Sequence, residues 1–329
     1  MPLAEKIQEV MINFEEIGLG PFHVKRGFPI GSFTIYWYAV IIVFGLILAV
    51  SFCMWKAKKF DLTTDNVLDV LLYGLPAGII CARAYYVIFK PADVVYDSFL
   101  DMINIRDGGL AIYGGIIGAF AVGAIYCYVK KVNMLALFDL AALGFMIGQC
   151  IGRWGNFING EAFGGPTDLP WGMSINGSEP VHPTFFYESL WNAIGFVLLL
   201  LFVYKWKKNH GEVFFLYLTW YGVGRAMIEG MRADSLYIGP LRVSQVLAIA
   251  AALAGIVLFI LSRKGVIKVA QVHSEERKKK KSDRYKPVYK PLFQATALSD
   301  GEDVKQLDAA TSSEEDLPEN EENTENTEE

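Results

Sequence analysis

Seven apolar stretches of roughly 20 residues punctuate the chain, at about 35–55, 67–89, 110–129, 134–152, 186–204, 212–231 and 241–262. A helix of that length crosses the hydrocarbon core of a bilayer. Inside that core every backbone polar group must be bonded within the protein, which restricts spanning segments to helices or closed barrels. The expected fold is therefore an all-α integral membrane protein with seven transmembrane helices. Composition agrees, since 53% of the 329 residues are hydrophobic and mean hydropathy is +0.31. A water-soluble domain is seldom so apolar. Cys53, Cys81, Cys127 and Cys150 all fall inside apolar runs, without metal or disulfide spacing, and read as small packing residues.

Orientation follows from where the lysines fall. Lys56, Lys58 and Lys59 follow the first span, Lys130 and Lys131 the third, and Lys205, Lys207 and Lys208 the fifth. The last span runs into a basic segment. All of these belong on the cytoplasmic side, so the N-terminus is expected outside and the C-terminus in the cytoplasm. Residues 1–34 then form an extracytoplasmic segment without the pattern of a cleavable leader. Residues 35–262 form the transmembrane domain, 263–290 a basic juxtamembrane segment and 291–329 an acidic tail. From Met1 to Ser262 there are 18 basic and 19 acidic residues, so this part is near neutral and the acidic balance of the chain comes from the tail. The tail is polar, repetitive and poor in aromatics, which predicts disorder. The basic cluster Arg277–Lys281 would be drawn to an anionic leaflet.

Ionisable residues within spans are costly and usually line a site or a cavity. The second span contains Pro76 and Arg83, and the sixth contains Arg225 and Glu229. With the expected orientation Arg83, Arg153, Glu188, Arg225, Glu229 and Arg232 all lie in the outer half. Only Asp139 lies toward the inner side. Steps of four, four and three place Tyr221, Arg225, Glu229 and Arg232 on one helical face. A structural ion pair between Arg225 and Glu229 is the plainer reading of that pair. The excess of arginine over glutamate at headgroup depth nevertheless points to an anion such as a lipid phosphate.

The densest polar stretch begins where the fourth apolar run ends. Gly152-Arg153-Trp154-Gly155-Asn156-Phe157-Ile158-Asn159-Gly160-Glu161-Ala162-Phe163-Gly164 carries one arginine, one glutamate, two asparagines and four glycines. As a bare pattern it reads as a glycine-rich connection between helices. Its amides and guanidinium also form a good donor set for a phosphate. Tyr36-Trp37-Tyr38 opens the first span like an aromatic belt. The paired glycines of Asp107–Gly115, Gly108-Gly109 and Gly114-Gly115, suit either close helix contact or a tight turn that brings Tyr113 toward the site. His182-Pro183-Thr184 reads as a turn before a helix start. On these features alone a lipid transporter or a receptor competes with an enzyme, although no inverted repeat is evident and a receptor has no need of the polar stretch.

These residues resemble one family, the prolipoprotein diacylglyceryl transferases. Gly152 to Gly164 fits the signature G-R-x-G-N-F-x-N-x-E-x-x-G at every fixed position. Tyr38, Ala82-Arg83-x-x-Tyr86, Asp107-Gly108-Gly109, His182-Pro183-Thr184-x-x-Tyr187-Glu188 and Tyr221-Gly222-x-x-Arg225-x-x-x-Glu229 stand where the family has similar motifs. The likeness covers about residues 15–262. It implies transfer of the diacylglyceryl group of phosphatidylglycerol to the thiol of a lipobox cysteine in a prolipoprotein signal peptide, with glycerol phosphate leaving. It implies a bacterial plasma membrane location, with the site toward the outer leaflet. It implies catalytic roles for Arg153, Arg225, Asn156, Glu161, Tyr38 and Tyr113. It also implies contacts to phosphatidylglycerol from Arg153, Arg83, Asn159, Gly164, Glu188, Tyr221, Glu229 and Arg232. The implied partners are that lipid, the signal peptides and the bilayer. No cofactor, metal or nucleic acid is expected.

Two positions depart from the family pattern. Cys81 stands where glycine is commoner, and a packing difference is expected there. Tyr113 stands where well-known members have a histidine proposed to help activate the thiol. A tyrosine, with an ordinary pKa of about 10, is a poor base near neutral pH. A free thiol, with a pKa of about 8.5, can lose its proton to solvent. We therefore expect Tyr113→Phe to keep normal turnover; a loss of more than about 100-fold would give the hydroxyl an essential role.

Overall fold

The computed structural model describes residues 9–31, 33–90, 96, 98–105, 108–232, 237–238 and 241–267. The expected basic segment beyond 267 and the acidic tail lie outside the described residues, as do Asp107 and residues 233–236. Seven long helices follow in order: α1 (Trp37–Lys56), α2 (Thr64–Ile88), α4 (Ile112–Lys130), α5 (Met134–Asn159), α6 (Thr184–Lys205), α7 (Glu212–Glu229) and α8 (Val243–Arg263). A short helix, α3 (Phe99–Ile103), lies between α2 and α4.

Among the described residues six helices are long and apolar enough to cross a membrane, all of these except α7 and the short α3. The seventh expected span is the exception because α7 includes three charged residues, Glu212, Arg225 and Glu229, in its 18. It nevertheless packs along α8 and against α5 and α6. The outer surfaces of the spans are strongly apolar, with Leu72 66%, Ile80 67% and Leu253 59% exposed. Such a surface matches lipid and not water.

Helix α5 is the centre of the bundle and touches α1, α4, α6 and α7. Its Leu137, Leu140, Leu143 and Met146 form a buried core with Phe60, Leu199, Val203, Val213 and Tyr217. Small residues bring the other pairs together, as lipid supplies no hydrophobic drive between helices. Gly118 of α4 lies against the side chain of Cys81 on α2, where a Cβ would come within 2.6 Å of it. That contact gives Cys81 the packing role expected for it. Gly255 of α8 lies against the Phe215 carbonyl of α7 in the same manner. Pro76 does not break α2, which is one continuous helix started by a capping box at Thr63 and Asn66.

Two features differ from the sequence reading. Helix α5 runs seven residues past the expected end at 152, as far as Asn159. The fall in hydropathy does not stop it, because Trp154 and Phe157 pack on Phe185, with ring centroids 5.5 and 4.8 Å apart. Gly160, at φ 61°, ends it with a left-handed residue that glycine adopts without strain. The N-terminal segment also folds. β1 (Glu9–Phe14) pairs antiparallel with β2 (Leu19–Lys25), and Ile12 and Asn13 pair with β5 (Ser174–Ile175). A second hairpin, β3 (Gly27–Ile30) with β4 (Phe33–Tyr36), leads into α1. Val10 and Ile12 form a small core with Met173 and Phe185, backed by Phe157 and Phe163. The N-terminal hairpin therefore sits on the end of α5. A third short ribbon pairs β6 (Tyr237–Ile238) with β7 (Leu241–Arg242) ahead of α8.

The opposite end of the bundle is tied by charge. Asp139 of α5 is fully buried and accepts the backbone N–H groups of Gly211 (2.8 Å) and Phe214 (2.9 Å) at the start of α7. Lys207 Nζ lies 2.9 Å from the same carboxylate. The N-terminus of a helix favours negative charge, so this placement suits both partners. Nearby, Glu212 meets Arg263 Nε at 2.8 Å, joining α7 to the end of α8. Removing one member of a buried pair strands the other, so Asp139→Ala is expected to lower stability by about 3–5 kcal/mol. Thermal or denaturant melting in detergent checks this, and a loss below about 1 kcal/mol would show that Lys207 finds water instead.

Candidate functional site

The extension of α5 decides the geometry. Arg153, Asn156 and Asn159 ride on its last two turns at steps of three, so they share a face. Glu188 lies on the second turn of α6, whose start is fixed when the buried Thr184 hydroxyl donates to the Ala162 carbonyl at 2.5 Å. Arg225 and Glu229 lie one turn apart near the end of α7. These three helix segments converge on the Glu188 carboxylate. Arg153 Nη2 is 2.5 Å from its Oε2, and Arg225 Nη1 is 3.2 Å from its Oε1. Arg225 Nη2 is also 2.7 Å from Glu229 Oε2. Arg232, past the end of α7, approaches Glu188 at 3.8 Å. The expected Arg225–Glu229 pair is present, and it is one link of a larger network.

The network continues outward. Arg153 Nη1 donates to Asn156 Oδ1 at 3.2 Å. Asn156 and Asn159 each donate from Nδ2 to the same oxygen, Oε1 of Glu161, at 3.1 Å. The Glu161 N–H donates back to the Asn156 carbonyl. A continuous chain therefore runs from Asn159 and Glu161 through Asn156 and Arg153 to Glu188, Arg225 and Glu229. The carboxylates are buried, with side chains 5% exposed at Glu188 and 2% at Glu229, whereas Arg153 is 23% exposed. Glu188 and Asn156 engage two of the five N–H donors of Arg153, and its open side can receive an anion.

Gly164 has no side chain to offer and serves by closeness. A Cβ there would lie 2.6 Å from His182 Cβ and 3.0 Å from the Met231 carbonyl. Its N–H donates to the His182 carbonyl at 2.9 Å, and it forms an isolated bridge with Arg232. Gly164 thus draws the loops before α6 and after α7 together and delivers Arg232 to Glu188. Tyr38 packs its ring on Gly155, and Tyr221 stacks on Tyr217 at 5.8 Å beside Arg225. His182 and Thr184 form the turn and helix start expected of them.

Two candidates stand apart from the chain. Arg83 gives its guanidinium to the carbonyls of Asp101 and Met102 at 2.8 Å each, Gly108 at 2.8 Å and Gly109 at 3.0 Å. Gly108 and Gly109 take positive φ, 87° and 73°, and form the tight turn, whereas Gly114 makes the close helix contact, where a Cβ would collide with the Cys81 carbonyl of α2. Arg83 anchors that turn, and the structure does not bring it to Glu188. The hydroxyl of Tyr113 lies 3.3 Å from that of Ser244 on α8.

One feature was not foreseen from the sequence. Trp191 of α6 and Trp220 of α7 stack at 4.4 Å and 20°. Each indole N–H donates to the other residue's carbonyl at 2.9 Å. Gly195 lies under Trp220 and Gly224 under Trp191, and a Cβ at either glycine would collide with the ring. The signal was available, because Trp191/Gly195 and Trp220/Gly224 share a Trp-x-x-x-Gly spacing. The clasp lies one turn beyond Glu188 and fixes α6 against α7 where Glu188 meets Arg225.

Fold and site together define a multi-pass membrane protein with paired arginines held on buried carboxylates at one end of the helix bundle. The family model for prolipoprotein diacylglyceryl transferase matches residues 26–261. The chain is 44% identical over 241 residues to the phosphatidylglycerol–prolipoprotein diacylglyceryl transferase of Clostridioides difficile (strain 630), covering 73% of this chain and 96% of that protein. It is 46% identical over 245 residues to enzyme 1 of that name from Clostridium perfringens, covering 71% and 92%. It is 44% identical over 264 residues to that of Streptococcus agalactiae serotype Ia, covering 77% and 97%. The chain belongs to the prolipoprotein diacylglyceryl transferase family.

Because Glu188 aims both arginines, Glu188→Gln is expected to cut activity by at least about 100-fold while circular dichroism stays helical. Retention of half the activity would show that the arginines hold their places without the charge.

Proposed function

We propose that this chain transfers the diacylglyceryl group of phosphatidylglycerol to the cysteine thiol of a prolipoprotein signal peptide. The observation that carries this is the pair Arg153 and Arg225, brought from separate helices onto one buried carboxylate. In the reaction the thiolate sulfur forms a bond to the glyceryl carbon as that carbon's bond to the phosphate oxygen breaks. Glycerol phosphate leaves with the electron pair, and the thiol proton passes to solvent. Negative charge grows on the leaving phosphate, and preorganised guanidinium groups stabilise it most where water is scarce. Arg153, with donors open to the surface, and Arg225 take the phosphate in this reading. Asn156, Asn159 and Glu161 hold Arg153 and border the headgroup. Tyr38, Tyr113 and Tyr221 shape the site, Glu229 and Arg232 steady its arginines, and Arg83 acts through the Gly108–Gly109 turn.

In the same reading α7 is the seventh crossing helix, its charges sheltered by α5, α6 and α8. This reading also has the N-terminus outside, the C-terminus in the cytoplasm and the arginine site at the outer leaflet of a bacterial plasma membrane; the lysine distribution supports that orientation, and the family supports that membrane. Both substrates are membrane-held, so the signal peptide enters laterally between helices. The test uses purified protein in phosphatidylglycerol vesicles with a signal-type peptide carrying one cysteine. Mass spectrometry is expected to find a diacylglyceryl adduct with wild type and at least about a 100-fold lower yield with Arg153→Ala. Adduct from both at equal rates would remove Arg153 from the phosphate site, and adduct from neither would overturn the reaction.

A further inference from the structure

At the end of the bundle that holds Asp139 the basic residues fall into two sets. Lys207 faces Asp139, His210 faces Asp61 and Arg263 faces Glu212, each with a carboxylate oxygen within 3.4 Å. Lys56, on the last turn of α1, and Lys59, in the short turn that follows, have no carboxylate partner among the described residues. Both converge on Tyr204, in the last turn of α6. Lys56 Nζ donates to the Tyr204 hydroxyl at 2.6 Å and lies 3.3 Å from the centre of the Trp55 ring. The ammonium groups of Lys56 and Lys59 lie 5.3 and 5.1 Å from the centre of the Tyr204 ring. An aromatic face attracts a cation but carries no net charge, so the two ammonium groups still repel each other. An interfacial belt accounts for a tryptophan and a tyrosine here, and the bias of lysines toward one side accounts for their number. Neither accounts for two cations gathered from the end of α1 onto one ring of α6 without an anion.

We propose that Lys56, Lys59 and Tyr204 bind the phosphate of an anionic phospholipid, at the end of the bundle opposite the arginine site. Two ammonium groups supply the charge. The Tyr204 oxygen accepts from Lys56, which leaves its own O–H to donate outward, and a phosphate oxygen can accept from all three groups. Basic sites between membrane helices on the lysine-rich side suit such headgroups. The surroundings select a lipid over a free ion. Trp55 and Tyr204 are more than half exposed, and Leu201, one turn before Tyr204, is exposed as well. Phe52 of α1 and Phe196 of α6 meet deeper in the same seam, with ring centroids 5.2 Å apart. A lipid whose phosphate sits on the lysines lays its glycerol and chains on surface that is already apolar, and a free phosphate gains nothing there. The bound lipid would tie the end of α1 to the end of α6.

The test is native mass spectrometry of the full chain released from detergent micelles that carry either phosphatidic acid or phosphatidylcholine. Wild type is expected to retain one more phosphatidic acid than Lys56→Gln/Lys59→Gln, whose half-saturating lipid concentration should rise at least about tenfold. Tyr204→Phe keeps the ring and loses only the hydroxyl, and it should weaken retention about threefold or more. Arg153→Ala should keep the extra molecule, which separates this site from the arginine site. Equal retention by wild type and the double variant would overturn the proposal, and so would loss of the extra molecule in Arg153→Ala. Equal retention of phosphatidylcholine would leave an apolar surface only, and displacement by excess inorganic phosphate would leave a site for the free ion; either result overturns the lipid assignment. Circular dichroism checks that each variant stays helical. Should the double variant not fold, unchanged retention by Tyr204→Phe would overturn the proposal by itself.

Discussion

A single buried carboxylate sets the terms for one end of the helix bundle. A carboxylate as buried as Glu188 calls for cations beside it, and Arg153 and Arg225, set among the helices, call for anions. Neither side is tolerable alone, so α5, α6 and α7 must meet at one level and in one rotation. The hydrogen bonds of Asn156, Asn159 and Glu161 then extend that fixed point to the surface. The site is rigid because its members are polar groups that have nowhere else to go.

The bundle has a comparable lock at its other end, built on Asp139, Lys207 and the start of α7. Some 14 residues of α5 separate Asp139 from Arg153, roughly 20 Å along the helix axis. Between the two locks the contacts are apolar and close-packed, supplied by Leu140, Leu143, Met146 and Tyr217. Apolar packing gives the helices proximity without choosing a register, because a leucine accepts many neighbours. The charged ends choose it. Helices α5 and α7 therefore form a frame fixed at two levels, and α6 joins it at the level of Glu188.

Much of this was legible in the residues. The seven apolar runs match seven helices to within a few residues at most ends, since hydropathy and helix length respond to the same bilayer constraint. The signature residues and the Arg225–Glu229 spacing named side chains that the structure joins in one hydrogen-bonded network. What hydropathy could not show is where a helix stops once it leaves the apolar run, and α5 carries Arg153, Asn156 and Asn159 because Gly160 ends it and not Gly152. The N-terminal hairpin was missed because Val10 and Ile12 alternate over too few residues to outweigh a polar setting. Arg83 looked like its fellow arginines in sequence, and only the carbonyls of Asp101, Met102, Gly108 and Gly109 distinguish its work. Trp191 and Trp220 each stand four residues before a glycine, but that shared spacing does not by itself disclose the pairing between them, which only the packed helices show.

That pairing has a consequence for how the protein tolerates change. Each tryptophan is at once donor, acceptor and stacking surface for the other, and each rests on a glycine of the opposite helix. Sliding α6 by one turn along α7 would break both hydrogen bonds, undo the stack and drive two rings into backbone. No intermediate register keeps half of the contact. The clasp is an all-or-none device, and α6 and α7 behave as one mechanical part whose alignment cannot drift by small steps.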